Sequence, residues 1–285
     1  ASPQRRLRLL RDARKVGPIR QGGLFLTNAS GYRVFVTVTE PDDDVPRPAV
    51  VLVPGRDKTS AAFSGGIYPV TGRELAVRGL RAVAFDPVGR GRSWGHDDFC
   101  GSEGQDSLRA VLDYAHARRN VLPERSGVAS FSLGLSLAAP TLAEHGGRLS
   151  TAFLLDWEGP ADRDAILRTG SLPPAARAAL ARDPDVFWRH REPLPFIEEL
   201  PCSYVRVQAQ NDHALGVRGA DGALALLAAA ARGSAPCTRL NDNPRDVAFR
   251  PDQKGGLRWA SDSLRLLSPF ILHTLVALTA EEPPS

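Results

Sequence analysis

The stretch 126–134, Ser-Gly-Val-Ala-Ser-Phe-Ser-Leu-Gly, constrains the fold more than any other part of the chain. A short apolar run, Val128-Ala129, leads into Ser130-Phe131-Ser132-Leu133-Gly134, and the helix-forming Leu135-Ser136-Leu137-Ala138-Ala139 follows without a spacer. Strand, sharp turn and helix in so few residues put Ser132 at the tip of a strained turn. Such a turn tolerates only small side chains two residues before and two after the tip. Ser130 and Gly134 fill those places. A serine held there presents its hydroxyl above the edge of a sheet. The N–H of the next residue, Leu133, then points toward a carbonyl under attack. Ser132 is therefore the candidate nucleophile.

The remaining pattern is that of an α/β fold. Residues 49–53 and 82–85 are continuous apolar runs, as expected of parallel strands buried on both faces. Residues 24–27 and 32–39 alternate about the turn Asn28-Ala29-Ser30-Gly31 and predict an antiparallel hairpin. Helical patterns at 72–78, 107–119, 219–231 and 261–279 are interspersed with strand patterns at 151–155, 204–209 and 238–240. This alternation predicts a mostly parallel sheet covered by helices on both faces. Residues 160–200 are richer in Pro, Arg and Ala and read as a small helical cap inserted between two strands. The 285 residues suffice for a single domain, 1–285, with the cap at 160–200 inside it.

Three separated patches, in order, resemble the α/β-hydrolase family. They are Pro54-Gly55-Arg56 after one strand, Asp86-x-x-Gly89-x-Gly91-x-Ser93 after the next, and the Ser130–Gly134 turn. The family usually carries His-Gly where Pro54-Gly55 stands. That loop contributes a backbone N–H, so the departure is tolerable, and the resemblance assigns the second oxyanion donor to Arg56, paired with Leu133. The Asp86 turn is read as structural.

The family's triad runs Ser, Asp or Glu, His. The resemblance favours Asp212, at the end of the strand after the cap, with Asp156 at the end of the preceding strand as the alternative. The histidine is absent from the loop where the family places it, which here contains Asn241-Asp242-Asn243. Of the six histidines, His116, His145, His190 and His273 lie in helical patterns. His96, in Trp94-Gly95-His96-Asp97-Asp98, and His213, beside Asp212, follow strands whose C-terminal ends face the site. Either completes the triad, or none does. His96 is expected to lie nearest Ser132, because pairing His213 with its own neighbour Asp212 is awkward.

Two functions follow. One is a serine hydrolase cleaving a carboxylic ester or related acyl bond through an acyl-enzyme on Ser132, with a small-molecule substrate and neither cofactor nor metal. The other is a catalytically defective member of the fold that binds a ligand or partner. Nucleic acid is not an expected partner. Net charge is +4 with acids and bases interspersed, and the basic run at 5–11 reads as a solvated amphipathic helix. Gly89-x-Gly91 lacks the third glycine of a dinucleotide fingerprint. No apolar stretch approaches the ~20 residues of a membrane-spanning helix. Cys100, Cys202 and Cys237 have no metal-ligand spacing. Cys202 and Cys237 are expected near each other, each at the start of one of two neighbouring strands. Compartment and oligomeric state stay open, with the cytoplasm slightly favoured.

Overall fold

The computed structural model describes residues 16–241 and 259–280, without the side chains of 146–149. The basic run at 5–11 and residues 242–243, in the loop where the resembled family carries its histidine, lie outside that range.

Among the described residues, eight strands form one sheet in the order β1-β2-β4-β3-β5-β6-β7-β8. The hairpin of β1 (Ile19–Thr27) and β2 (Arg33–Pro41) is longer than its alternating core predicted. It joins the sheet through antiparallel pairing of β2 with β4 (Arg81–Phe85). All further pairings are parallel: β4 with β3 (Ala49–Val53), β3 with β5 (Gly127–Phe131), β5 with β6 (Phe153–Trp157), β6 with β7 (Ser203–Val207), and β7 with β8 (Thr238–Leu240).

Strands β3 to β6 are buried at every residue, which their uninterrupted apolar sequences require. Successive side chains alternate between two cores. Val51, Val53, Val83, Val128 and Leu154 pack on one face under α2 (Ser102–Ala117), α3 (Leu135–Leu149) and α8 (Gly219–Arg232). Val50, Leu52, Ala82, Ala129, Phe131 and Leu155 pack on the other, under α1 (Gly72–Ala76) and α9 (Leu264–Ala280). No helix among the described residues is long and apolar enough to cross a membrane.

Helix α2 begins five residues before its predicted start. The Asp98 carboxylate accepts from the N–H groups of Glu103 and Gly104, at 2.8 and 3.2 Å, and so caps the first turn from outside the helix. Between β6 and β7 the chain makes four short helices, α4 (Arg163–Arg168), α5 (Pro174–Arg182), α6 (Pro184–Arg189) and α7 (Pro193–Ile197). Prolines at the first turns of α5 to α7, with Asp162 and Asp183 as caps on α4 and α6, divide this stretch into pieces.

Asp86 accepts the Ser60 N–H and hydroxyl on one oxygen and the Arg92 N–H on the other. Gly91 has φ +54°, and a Cβ there would lie 2.3 Å from the Asp86 carboxylate. Ser93 donates to the Asp86 carbonyl and accepts from the Phe35 N–H. Arg90, inside the motif, pairs with Asp97 and donates to the Gly55 carbonyl at 3.0 Å. The turn thus holds the loop after β3 in place.

Candidate active site

Parallel strands release their chains at one edge of the sheet, so residues that follow β5, β6 and β7 emerge side by side. The register is Phe131 opposite Trp157 and Trp157 opposite Val207. Ser132 and Glu158 are each the next residue after a paired position, and both leave the strand with positive φ, +54° and +51°. Conformations of this kind cost about 1–3 kcal/mol each and persist where packing enforces them. At the elbow that packing is visible. A Cβ on Gly134 would stand 2.7 Å from the Val53 carbonyl oxygen, so a larger residue would push the helix off the β3 loop.

These three strand ends bring Ser132, Glu158 and His213 together. His213 Nε2 is 3.0 Å from Ser132 Oγ, and His213 Nδ1 is 2.7 Å from Glu158 Oε2. Since a carboxylate accepts, Nδ1 carries the proton and Nε2 is free to accept from the serine hydroxyl. Glu158 is buried, and its carboxylate also accepts the backbone N–H groups of Ala209 (2.9 Å) and His213 (3.0 Å). The acid is therefore locked to the β7 loop, and the loop to the acid. The indole of Trp157 stacks on the His213 ring at 4.6 Å and 19°, one face of a cluster with Tyr68 and Phe131. Trp188 is buried against Phe187.

Asp212 has a different environment from the one its position in the sequence predicts. One carboxylate oxygen accepts the N–H groups of Ala214 and Leu215 at 2.8 and 2.9 Å; the other accepts Gln208 Nε2 at 3.0 Å. Its nearest approach to His213 Nδ1 is 3.7 Å, beyond a hydrogen bond. Asp212 shapes the turn that aims His213, and Glu158 takes the histidine. Asp156 is fully buried and ion-paired with Arg206, with Tyr204 donating to it at 2.8 Å. Burial opposes the Arg206 charge, but Asp156 beside it holds the guanidinium above its ordinary pKa.

The expectation that His96 lies nearest Ser132 is overturned. His213 is at hydrogen-bond distance, while His96 is exposed on its turn. The neighbouring Asp97 takes the inward position, bonded to Arg90 at 2.7 Å, and leaves His96 facing solvent. His96→Ala should accordingly change neither kcat nor KM for any ester the protein cleaves by more than about twofold, the range of a neutral surface substitution; steady-state kinetics would check this. Asn241 is likewise accounted for: its amide exchanges two hydrogen bonds with the Gln208 backbone and ties β8 to β7.

The β3 loop closes the site from the other side. Gly55 donates its N–H to the Tyr68 hydroxyl at 2.6 Å, and a Cβ on Gly55 would lie 3.1 Å from Ser132 Cβ. Arg56 and Leu133 thus follow backbone that brackets the serine. Cys100 is buried 3.8 Å from the Leu133 carbonyl, and burial pushes its thiol up to about 12. Cys202 and Cys237 immediately precede the neighbouring strands β7 and β8, where the Tyr204 N–H donates to the Cys237 carbonyl, and no disulfide joins them. Glu158, Asp212 and His213 offer donor atoms within 4.8 Å of one another. Each is already committed, to its neighbour or to backbone N–H groups, so the trio carries no metal assignment.

Sequence reasoning missed Glu158, although it stands in the Asp156-Trp157-Glu158-Gly159 strand end. The available signal was that a residue ending β6 lies beside the elbow whenever β6 pairs with β5.

No family model and no curated protein matches the sequence. Solved structures do match. An esterase of Pyrobaculum calidifontis is 17% identical, with a TM-score of 0.62 over 96% of this chain and 90% of that one. An esterase of Pyrococcus furiosus is 15% identical, with a TM-score of 0.56 over 81% and 82%. A fungal esterase of Rhizomucor miehei is 13% identical, with a TM-score of 0.59 over 98% and 89%. At these identities the likeness concerns the fold. The chain has the α/β-hydrolase fold, a mostly parallel sheet flanked by helices, with a helical insertion between β6 and β7.

Proposed function

We propose that the protein is a serine hydrolase of a small-molecule carboxylic ester, acting through an acyl-enzyme on Ser132 with His213 as general base and Glu158 as its acid partner. The observation that carries this reading is the hydrogen-bonded chain Ser132–His213–Glu158, at 3.0 and 2.7 Å. A nucleophile, a base within reach and a group orienting the base are what acyl transfer needs. The esterases of like fold support the substrate class.

In this reading Ser132 Oγ attacks the ester carbonyl as Nε2 takes its proton. The tetrahedral oxyanion faces the backbone N–H groups of Leu133 and Arg56. Protonated His213, steadied by Glu158 on one edge and Trp157 on one face, gives the proton to the departing alkoxide. A water molecule then enters from the solvent side, where the His213 side chain is 34% exposed. It gives a proton to Nε2 as it attacks the acyl carbon, and the second tetrahedral intermediate collapses to the acid while Nε2 returns that proton to Ser132 Oγ. The binding-protein alternative rested on the lack of a base, and His213 supplies one.

A fluorophosphonate probe tests the reading directly. An activated Ser132 should be labelled within minutes, in the parent and not in Ser132→Ala. Labelling that is absent from the parent, or that persists in Ser132→Ala, would overturn it.

A further inference from the structure

One side chain joins the reacting edge of the sheet to the helical insertion, and it belongs to the loop that carries a proposed oxyanion donor. Gly55 is held from both sides, its N–H by the Tyr68 hydroxyl and its carbonyl by Arg90. The next residue, Arg56, sends its guanidinium across to the end of α4. Nη2 donates to the Ile166 carbonyl (3.0 Å) and the Thr169 hydroxyl (2.8 Å), and Nη1 donates to the Ser171 carbonyl (3.0 Å). The first of these is a carbonyl of the last helical turn, of the kind an arginine satisfies well. Thr169 in turn donates to the same Ile166 carbonyl at 2.8 Å.

Two features mark Arg56 as more than an ordinary surface contact. No carboxylate lies within ion-pair distance of it among the described residues, so its charge rests on the carbonyls of the insertion and on the Phe99 ring 4.8 Å away. Burial accordingly lowers its pKa below the ordinary arginine value. The other end of the insertion is fastened differently. Arg191, after α6, donates to the Asp98 and Phe99 carbonyls at 2.8 and 3.0 Å, well along the chain from the oxyanion loop. Arg191 ties the insertion to the core, whereas Arg56 ties it to the loop beside Ser132.

We infer that Arg56 is a positioning residue: its side chain latches the 166–171 segment of the insertion to the oxyanion loop, so that seating of the insertion sets the Arg56 N–H donor. This rests on the serine-hydrolase reading above. The donor must stand where the oxyanion forms, and small displacements there are costly. A loop anchored by Tyr68 and Arg90 behind Gly55, and by the latch beyond it, has its peptide plane fixed from both directions. Without the latch, the plane between Gly55 and Arg56 keeps one anchor, and the segment at the end of α4 loses the three hydrogen bonds that Arg56 donates.

Arg56→Met keeps the stem and removes all three bonds, and Thr169→Val removes one of them, together with the Thr169 hydroxyl's own bond to Ile166, while leaving the loop intact. With p-nitrophenyl acetate as substrate, Arg56→Met should lower kcat on the order of tenfold, with KM within about twofold. Affinity for phenylboronic acid, which forms a tetrahedral adduct on Ser132, should fall by the same factor as kcat. Backbone amides in 163–171 should exchange hydrogen faster, Thr169→Val should show a smaller effect of the same kind, and Arg56→Lys should recover part of both. Unchanged exchange in Arg56→Met, or faster exchange with kcat and boronate affinity untouched, would overturn the latch while leaving the hydrolase reading intact. If the parent shows no Ser132-dependent turnover, the hydrolase reading falls and the coupling falls with it.

Discussion

Ser132→Ala and His213→Ala should each lower kcat for ester hydrolysis on the order of 10⁶-fold, and the double variant should be no worse than either single one. In the proposed mechanism the pair acts as one device. Ser132 Oγ is a weak nucleophile until Nε2, 3.0 Å away, accepts its proton. With the histidine gone the hydroxyl keeps that proton, and with the serine gone the base has nothing to activate. Residual turnover then comes from the oxyanion donors and binding alone, a level common to all three variants. Single-turnover kinetics with an activated ester would measure it. A His213→Ala variant retaining parental kcat would remove His213 from the mechanism.

The second expected effect separates two carboxylates. Glu158→Gln should lower kcat on the order of 10⁴-fold, the scale of losing the acid of such a triad. Glu158 accepts three N–H donors on its two oxygens, two of them from His213. An amide has one accepting oxygen, so either the Ala209 N–H or the two His213 donors must then face the amide's own NH₂. The variant also loses the negative charge that favours the imidazolium and keeps the proton on Nδ1. Asp212→Asn should behave otherwise, with kcat within about tenfold of the parent and a stability loss of about 1–3 kcal/mol from one mispaired buried donor. Its oxygen can still accept the Ala214 and Leu215 N–H groups, while its NH₂ meets the Gln208 amide. Comparing kcat with the denaturation midpoint for both variants decides which carboxylate serves the histidine. Equal losses of kcat would assign Asp212 a share of that role.

What the chain determines locally is visible in its elbow. Val128-Ala129, the small residues Ser130 and Gly134, and the helix former that follows leave little conformational choice, so strand, turn and helix are decided within about a dozen residues. The same holds for the Asp86 turn, whose glycines and serine have no other economical arrangement, and for the buried strands β3 and β4, whose apolar runs demand two covered faces. The α/β class follows from these local decisions, because parallel strands need helical crossovers.

The partners of Ser132 depend on relations the chain order does not contain. Reading forward from the resemblance, the acid is sought after β7, with the end of β6 as the alternative, and the histidine after β8; here the residues that meet Ser132 follow β6 and β7. Which of two adjacent residues turns inward is decided by backbone torsions and neighbours. Positive φ at Glu158 and the hydrogen-bonded turn around Asp212 send Glu158 and His213 to the serine. Asp156 is taken by Arg206, and Asp97 takes the inward place that His96 would have needed. Each of these choices is a competition between neighbours one or two residues apart, won by contacts 50 or more residues away at Asp156 and Glu158, seven away at Asp97, and two or three away at Asp212. Local propensity carries no term for the distant contacts, so the candidate nucleophile could be read from the sequence, while the histidine and carboxylate that stand beside it, and the contacts of Arg56, were decided by tertiary packing.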